Sequence, residues 1–140
     1  MPTADRYQQL VALSKRWIEE IWCQGNILAI DEMHASKFQD HSPAGRAGNL
    51  ASYITGVVEL YMGFPDFTTH IEDLIVDVSR NLVAIRWSAT GTHKGFCMGM
   101  LPTGRTIKFS GVDIIRFEED KIVERWGEWD GLSILSQMRE

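Results

Sequence analysis

The sequence of 140 residues is poor in the features on which several protein classes depend. Two cysteines occur, Cys23 and Cys97, and they form no CxxC motif, so we expect two reduced thiols and no disulfide. Lysine and arginine number 14 against 19 acidic residues, without a basic tract, which argues against nucleic acid or an anionic membrane as a partner. The apolar runs are only a few residues long and therefore too short to span a membrane.

The sequence also lacks the motifs of metal and nucleophilic catalysis. No HxH, HExxH or Cys/His ligand spacing is present, so we expect no metal site. No GxSxG motif occurs, and neither cysteine lies in a recognisable nucleophile motif. The segment GTHKGFCMGMLPTG lacks the spacing of a phosphate loop and is better interpreted as a flexible rim over a cavity, with Phe96, Met98 and Met100 as adaptable apolar surface.

What is present fits one domain, residues 1–140, with a substantial core. The chain is 44% hydrophobic and has five tryptophans and six phenylalanines, enough to build a core and to line a cavity. The first ten residues, MPTADRYQQL, contain no apolar stretch of the kind a signal peptide requires. We therefore expect a cytoplasmic protein.

Apolar residues spaced three and four apart predict three helices in the first half of the chain. The first begins at a Thr3 cap and ends at Gly25, the second is capped by Asn26, and the third ends at Pro65. Between the last two, KFQDHSPAG is predicted to be a brief extended segment that leads into a turn at Pro43 to Gly45.

After the third helix the pattern changes to period two and β-branched residues, which predicts strands. The short segments SRN, PTGR and EEDK separate them as hairpin turns, and GLSILSQM is expected to form a closing helical turn. This order predicts an α+β fold in which N-terminal helices pack on a curved antiparallel sheet and leave a cone-shaped hollow suited to a small ligand. The predicted strands are Phe67 to Val78, Leu82 to Thr92, Thr106 to Phe117 and Ile122 to Trp129.

A carboxylate inside one predicted strand is the first candidate for chemistry. Alternation places Asp113 with Ile115 and Phe117 on the inner face of the sheet and leaves Arg116 in solvent. A carboxyl group among apolar side chains is desolvated, which disfavours its charged form and suits it to proton transfer. The alternative is a structural salt bridge between Asp113 and a strand neighbour such as Arg125.

The last predicted strand offers two sets of side chains, and the sequence leaves open which set lines the cavity. A bulge would exchange the two faces. Alternation places Arg125, Gly127 and Trp129 on one side and Glu124, Trp126 and Glu128 on the other.

The segment FQDHSP is the second candidate. Asp40 beside His41 is interpreted either as a base with its orienting partner or as two groups that anchor a turn. The tryptophans weakly favour a cavity for a ringed ligand, although core positions are the commoner fate of tryptophan.

Several segments together resemble the SnoaL-like polyketide cyclase family, which lies within the NTF2-like superfamily. The similar segments are RWSATGTHKG, PTGR, FSGVDIIRF, KIVERW and LSQM, and upstream FQDHSP and GFPDF follow in the same order. The resemblance implies a cone-shaped α+β barrel that is usually a homodimer or higher homo-oligomer. It also implies cofactor-free ring closure of a polyketide by aldol condensation, and hence a hydrophobic, carbonyl-bearing small molecule as ligand.

The resemblance also suggests roles for particular residues. DIIRF is similar to the ketosteroid isomerase segment whose aspartate donates a hydrogen bond to an enolate oxygen, which implies that Asp113 is an oxyanion donor or a proton shuttle. Typical cyclases read EHWD in the last strand, whereas this chain reads ERWG, so Gly127 stands where the acid/base aspartate is expected.

The leading hypothesis is therefore a cofactor-independent enzyme with acid/base chemistry by Asp113, Asp40 and His41. The alternatives are a hydroxylase of an aromatic polyketide and a non-catalytic module for ligand binding or dimerisation. The expected ligand-binding residues are Arg125, Trp129, Trp87, Phe96, Trp17 and Glu128.

Overall fold

The structure, a computed structural model, describes residues 3–42 and 44–139. In chain order its elements are α1 (Thr3–Trp22), α2 (Ile27–Met33), β1 (His34–Asp40), α3 (Leu50–Gly63), β2 (Thr68–Asp77), a 3-10 turn (Val78–Arg80), β3 (Leu82–Thr92), β4 (Thr106–Glu118), β5 (Lys121–Trp129) and α4 (Gly131–Arg139). The α+β fold predicted from the sequence is confirmed.

The five strands form one sheet in the order β1-β5-β4-β3-β2. Strands β2 to β5 make the antiparallel meander that the alternation and the short turns predict. Strand β1 joins the far side of β5 in parallel, with Asp40 beside Arg125, so the complete sheet is mixed. A parallel neighbour needs a long crossover connection, here the whole segment from α3 to β4, and no local sequence pattern reveals such a pairing.

Local side-chain chemistry fixes the helix ends. Asn26 and Asn49 cap α2 and α3, because their side chains accept hydrogen bonds from the backbone N–H groups of Ala29 and Ser52. Gly25 has a φ of 64° and so allows the chain to turn sharply after α1. The expected cap concerns the side chain of Thr3, and the expected turn begins at Pro43; both lie outside the described part of the chain.

The core lies between the helices and the inner face of the sheet, defined as the face that carries Ile85, Asp113 and Ile115. One stripe of α1, with Leu10 and Trp17, is fully buried against it. The remaining buried hydrophobic side chains of this core include Ile21, Ile30, Met33, Val57, Phe64, Phe67, Val83, Ile107, Phe117 and Ile122.

Helix α4 packs against β4 at Lys108, beyond the end of the neighbouring strand β5. The side chain of Gln137 accepts a hydrogen bond from the Lys108 backbone N–H (2.9 Å) and donates one to the Lys108 carbonyl (2.6 Å). An amide side chain thus replaces a missing strand neighbour. This contact holds Ile134 of α4 against the core.

The outer face of the sheet carries several partly exposed apolar side chains, among them Val112, Ile114 and Trp126. Among the described residues, no helix combines the length and apolarity that a membrane crossing requires.

Candidate functional site

A cavity of about 900 Å³ lies between α1, α3 and the inner face of the sheet. Its volume falls in the range typical of pockets for small organic molecules. Apolar and aromatic side chains make up most of its wall, and a few polar groups converge at one part of it. Aromatic residues in the wall are Trp17, Trp22, Tyr53, Phe64, Trp87, Phe96, Phe109 and Trp129.

The polar part of the wall is a buried network of two carboxylates on one arginine. Arg125 donates from Nε to Oδ2 of Asp113 at 2.9 Å, and from Nη1 to the two oxygens of Asp40 at 3.0 and 3.2 Å. All three residues are at most 7% exposed. Because an isolated charge is costly in such surroundings, pairing is what makes the arrangement tolerable.

Three neighbouring strands bring these side chains together. Asp113 on β4 faces inward, as alternation predicts, and its direct partner on β5 is Gly127. Arg125 lies two residues before Gly127 and therefore on the same face. Asp40 ends β1 directly beside Arg125, so the parallel pairing of β1 completes the network.

Neighbouring groups orient the carboxylates unequally. Oδ1 of Asp40 also accepts from the backbone N–H of Ser42 at 3.0 Å, so this carboxylate is held by several donors. Oδ1 of Asp113 accepts from the indole N–H of Trp87 alone, at 3.3 Å. Asp113 therefore accepts two hydrogen bonds, whereas Asp40 accepts three.

Arg125 remains charged in this environment. Burial alone lowers the pKa of its guanidinium, but the carboxylates of Asp113 and Asp40 outweigh that effect and hold its pKa above the ordinary value. The ring of Tyr53 lies over it, with the guanidinium carbon 5.6 Å from the ring centroid, a cation–π distance.

Gly127 is a requirement of this network. A Cβ at this position would lie 2.2 Å from Nη2 and 2.6 Å from Cζ of Arg125, and 2.8 Å from Oδ1 of Asp113. The guanidinium therefore occupies the space that any larger residue would need. The resemblance to cyclases leads us to expect an aspartate at position 127. This chain has Gly127 there, and the side chain of Arg125 lies across it.

Seven of the nine residues predicted for the site line the cavity. Asp113, Asp40 and Arg125 form the network, and Trp17 and Trp87 belong to the buried wall. Phe96 and Trp129 line the more exposed rim.

His41 lies on the other face of the sheet and does not pair with Asp40. Its Nε2 is 2.7 Å from Oε2 of Glu124, and its ring stacks on Trp126 with centroids 4.7 Å apart. Asp40 ends the strand with its side chain inward, and the next residue in an extended chain points the opposite way. The expected proton-transfer pair of Asp40 and His41 is thus not formed.

Glu128 is also placed away from the cavity. It is exposed and alternates with the inward-facing Gly127. The irregularity in the pairing of β4 with β5 lies between Arg116 and Phe117, away from Glu128. No bulge therefore turns its carboxylate inward, and the expected contact of Glu128 with a ligand is not supported.

The glycine-rich segment forms part of the cavity rim, as expected, but the helix end holds it in place. Backbone N–H groups of Lys94 and Gly95 donate to the Gly63 carbonyl at the end of α3 (2.9 and 3.1 Å). A two-residue turn follows, in which Met98 and Gly99 have φ values of 52° and 76°, typical of a hairpin turn. The turn presents Phe96, Cys97 and Met98 to the cavity.

Tyr53, Trp22 and Ser42 line the cavity although the sequence did not single them out. Tyr53 lies four residues before Val57, on the buried side of α3, and this spacing was the one signal available. Ser42 accepts a hydrogen bond from the Gly127 backbone N–H through its hydroxyl (3.1 Å), a contact between distant segments that no local pattern encodes.

Metal ligation finds no support in the same geometry. Across residues 3–42 and 44–139, no three His, Cys, Asp or Glu side chains converge as ligands of a metal ion would.

Known structures share the fold of this protein, and a family profile matches its sequence. No curated protein matches the sequence significantly. A structure of a proposed polyketide cyclase from Acidithiobacillus ferrooxidans is 29% identical, with a TM-score of 0.81 and 94% of each chain covered. IdmH, a proposed polyketide cyclase from Streptomyces antibioticus, is 26% identical, with a TM-score of 0.82, covering 94% of this chain and 99% of its own.

A further neighbour, AclR, a proposed hydroxylase from Streptomyces galilaeus, has a TM-score of 0.83 at 22% identity, covering 99% of this chain and 83% of its own. At that identity the likeness concerns the fold alone. The sequence profile of the SnoaL-like polyketide cyclases matches residues 12–138, nearly the whole chain. The protein therefore belongs to the SnoaL-like polyketide cyclase family.

Proposed function

We propose that this protein is a cofactor-independent enzyme that binds a hydrophobic, carbonyl-bearing small molecule and performs acid/base chemistry next to the carbonyl group. The observation that carries this proposal is the buried network of Asp40, Arg125 and Asp113 in the wall of an apolar cavity of about 900 Å³. Buried ion pairs contribute little to the net free energy of folding. A functional role therefore explains this network better than a contribution to stability does.

Asp113 is the group proposed to take up the proton. Nε of Arg125 holds Oδ2 of Asp113 at 2.9 Å, which fixes the carboxyl group in the cavity wall, where a base must lie to reach a ligand. Its Oδ1 accepts one long hydrogen bond, from the indole N–H of Trp87 at 3.3 Å. Asp40 is the proposed positioning residue, since its carboxylate holds Nη1 of Arg125.

Arg125 is proposed to stabilise the negative charge that develops on the ligand oxygen. Its described hydrogen bonds use Nε and Nη1, which leaves the hydrogens of Nη2 for an enolate. A donor held in place before the reaction stabilises such charge without reorganisation.

The proposed reaction is a balanced aldol closure. Asp113 removes a proton from the carbon next to a ligand carbonyl, and the enolate oxygen accepts hydrogen bonds from Arg125. The enolate carbon forms a bond with a second carbonyl carbon of the same molecule, and Asp113 returns its proton to the alkoxide formed there. The apolar wall holds the chain folded so that the two carbons meet.

The protein is further proposed to act as a homo-oligomer. The exposed apolar side chains of Val112, Ile114 and Trp126 on the outer face of the sheet favour burial against a second copy. Sedimentation velocity is expected to give a species larger than one chain, and Trp126→Glu is expected to reduce it. A wild-type monomer at all micromolar concentrations would contradict this part of the proposal.

A panel of linear aromatic β-keto esters, followed by mass spectrometry, tests the reaction. Wild-type protein is expected to form products that are isomers of the substrate or differ by one water, while Asp113→Asn forms none. Products heavier by one oxygen atom, formed with uptake of dissolved oxygen, would favour a hydroxylase, the second candidate suggested by the shared fold of AclR. Tight binding without any product would favour a non-catalytic module.

A further inference from the structure

Two residues of the cavity wall each carry a buried polar group that has no hydrogen-bond partner among the described residues. The hydroxyl of Tyr53 and the indole N–H of Trp22 are buried, and neither forms a hydrogen bond within the described part of the chain. Their rings are neighbours, with centroids 6.0 Å apart, and both residues line the cavity. A buried donor without an acceptor weakens the fold, so a pair of them at one place calls for an explanation.

Comparable aromatic groups elsewhere in the protein are satisfied. The Tyr61 hydroxyl donates to the Ile21 carbonyl at 3.1 Å. Among the cavity tryptophans, the indole N–H of Trp17 donates to His34 and that of Trp87 donates to Asp113, both at 3.3 Å. Among the described tyrosine and tryptophan side chains, only the buried groups of Tyr53 and Trp22 therefore lack a partner. The other buried polar side-chain atoms without one are Oγ of Ser14 and Nε2 of His93.

Both unpartnered groups act as donors. Burial raises the pKa of the Tyr53 hydroxyl well above its ordinary value, so it keeps its proton. The Trp22 N–H exerts a smaller opposing effect on that pKa, although no hydrogen bond of acceptable geometry joins the two. An indole N–H can only donate. The missing partner is therefore an acceptor.

Packing on several sides fixes the Tyr53 ring, so its hydroxyl cannot move to another hydrogen-bond partner. It packs against Phe38 and His34 with centroid distances of 5.3 Å each, and it lies over the Arg125 guanidinium. Its exposed fraction is 6%. The hydroxyl is thus a fixed donor next to the charge network.

We propose that Tyr53, assisted by Trp22, selects ligands by donating a hydrogen bond to an uncharged acceptor oxygen, such as that of a ketone, quinone or ester. This inference rests on the proposed small-molecule function of the cavity and adds to it the residues that recognise the ligand oxygen. A ligand without an acceptor oxygen at this position would leave both donors unsatisfied, and its binding would be weaker for that reason. The cavity thus discriminates between a carbonyl compound and its deoxygenated counterpart.

The experiment compares 9-fluorenone with fluorene, two rigid tricyclic probes that differ by the carbonyl group. Binding is measured by quenching of tryptophan fluorescence in wild-type, Tyr53→Phe and Tyr61→Phe proteins, together with the melting temperature of each. Wild-type protein is expected to bind fluorenone at least tenfold more tightly than fluorene. Tyr53→Phe should remove most of that preference while leaving the melting temperature unchanged or higher, because it deletes a hydroxyl without a partner.

Tyr61→Phe is the matched control, since it removes a hydroxyl that is satisfied within the protein. It should lower the melting temperature and keep the preference for fluorenone. The infrared carbonyl stretch of bound fluorenone should lie at lower frequency in wild-type protein than in Tyr53→Phe. The NMR signal of the Trp22 indole proton, assigned with Trp22→Phe, should shift with fluorenone and not with fluorene.

Two results would overturn the inference in distinguishable ways. If Tyr53→Phe keeps the preference, or loses melting temperature as Tyr61→Phe does, Tyr53 is structural and the proposed cavity function still stands. If wild-type protein binds neither probe, the ligand pocket itself is refuted, and the inference falls with it.

Discussion

Replacing Gly127 with alanine tests how firmly the charge network is held. The new Cβ would lie 2.2 Å from Nη2 of Arg125, a distance that real Cβ atoms essentially never show. The guanidinium cannot move away without breaking a hydrogen bond, because its Nε donates to Asp113 at 2.9 Å and its Nη1 donates to Asp40 at 3.0 Å. Either the strand shifts or the network breaks.

Two known effects set the magnitude of this change. Overpacking a core by one methyl group costs about 1–3 kcal/mol, and breaking a buried ion pair costs about 3–5 kcal/mol. The alanine would displace the guanidinium without removing it, so part of the pairing survives. We therefore expect Gly127→Ala to lower the free energy of unfolding by about 3 kcal/mol.

Urea denaturation followed by tryptophan fluorescence measures this loss, with Gly56→Ala as control. Gly56 lies inside α3, and a Cβ there would come no closer than 3.4 Å to the flexible side chain of Arg46. Alanine should therefore stabilise that helix, by roughly 0.5–1 kcal/mol. If Gly127→Ala leaves the free energy of unfolding within about 0.5 kcal/mol of wild type, the reasoning about a rigid network is wrong.

Two further predictions concern stability. Burial lowers the pKa of His34 from 6.5 to about 4. As the pH falls from 6.5 to 4, the unfolded chain therefore takes up a proton at His34 before the folded protein does. The free energy of unfolding should fall over this range by up to about 3 kcal/mol. Urea titrations at pH 7 and pH 4.5 measure this, and His34→Gln should flatten the dependence; an equal slope in the variant would exclude His34 as its source. Gln137→Ala should cost about 1 kcal/mol, because the N–H and carbonyl of Lys108 lose their partner, and thermal unfolding that matches wild type would show that water replaces it.

Much of the fold is predictable because local patterns are strong in this chain. The alternation of apolar and polar residues predicts the bounds of β3 that the structure has. The same kind of alternation in β4 correctly predicts that Asp113 faces inward. Helix ends follow from Asn26 and Gly25, whose side-chain and backbone preferences act over a few residues. The pairing of β1 with β5 joins segments about 85 residues apart, and no local preference encodes it.

The site was less predictable, for reasons that particular residues make clear. The sequence favours His41 and Glu128 as site residues because of their neighbours, but each follows an inward-facing residue in extended chain and so faces outward. Gly127 suggested a lost catalytic group, whereas the structure fills its place with the Arg125 guanidinium. The partnerless hydroxyl of Tyr53 is invisible to sequence patterns, because satisfaction of a donor depends on packing.

The most direct test of the account is whether Asp113 removes a proton next to a carbonyl group. We would follow hydrogen–deuterium exchange at the carbon beside the carbonyl of 1-tetralone in D₂O by NMR, with wild-type protein and with Asp113→Asn. Asp40→Asn is the matched control, because it also removes one carboxylate from Arg125 but leaves the proposed base in place. Wild-type protein should accelerate exchange, Asp40→Asn should retain part of that acceleration, and Asp113→Asn should lose it by a factor of about 100 or more. Exchange at the wild-type rate in folded Asp113→Asn protein would contradict the proposed role of Asp113.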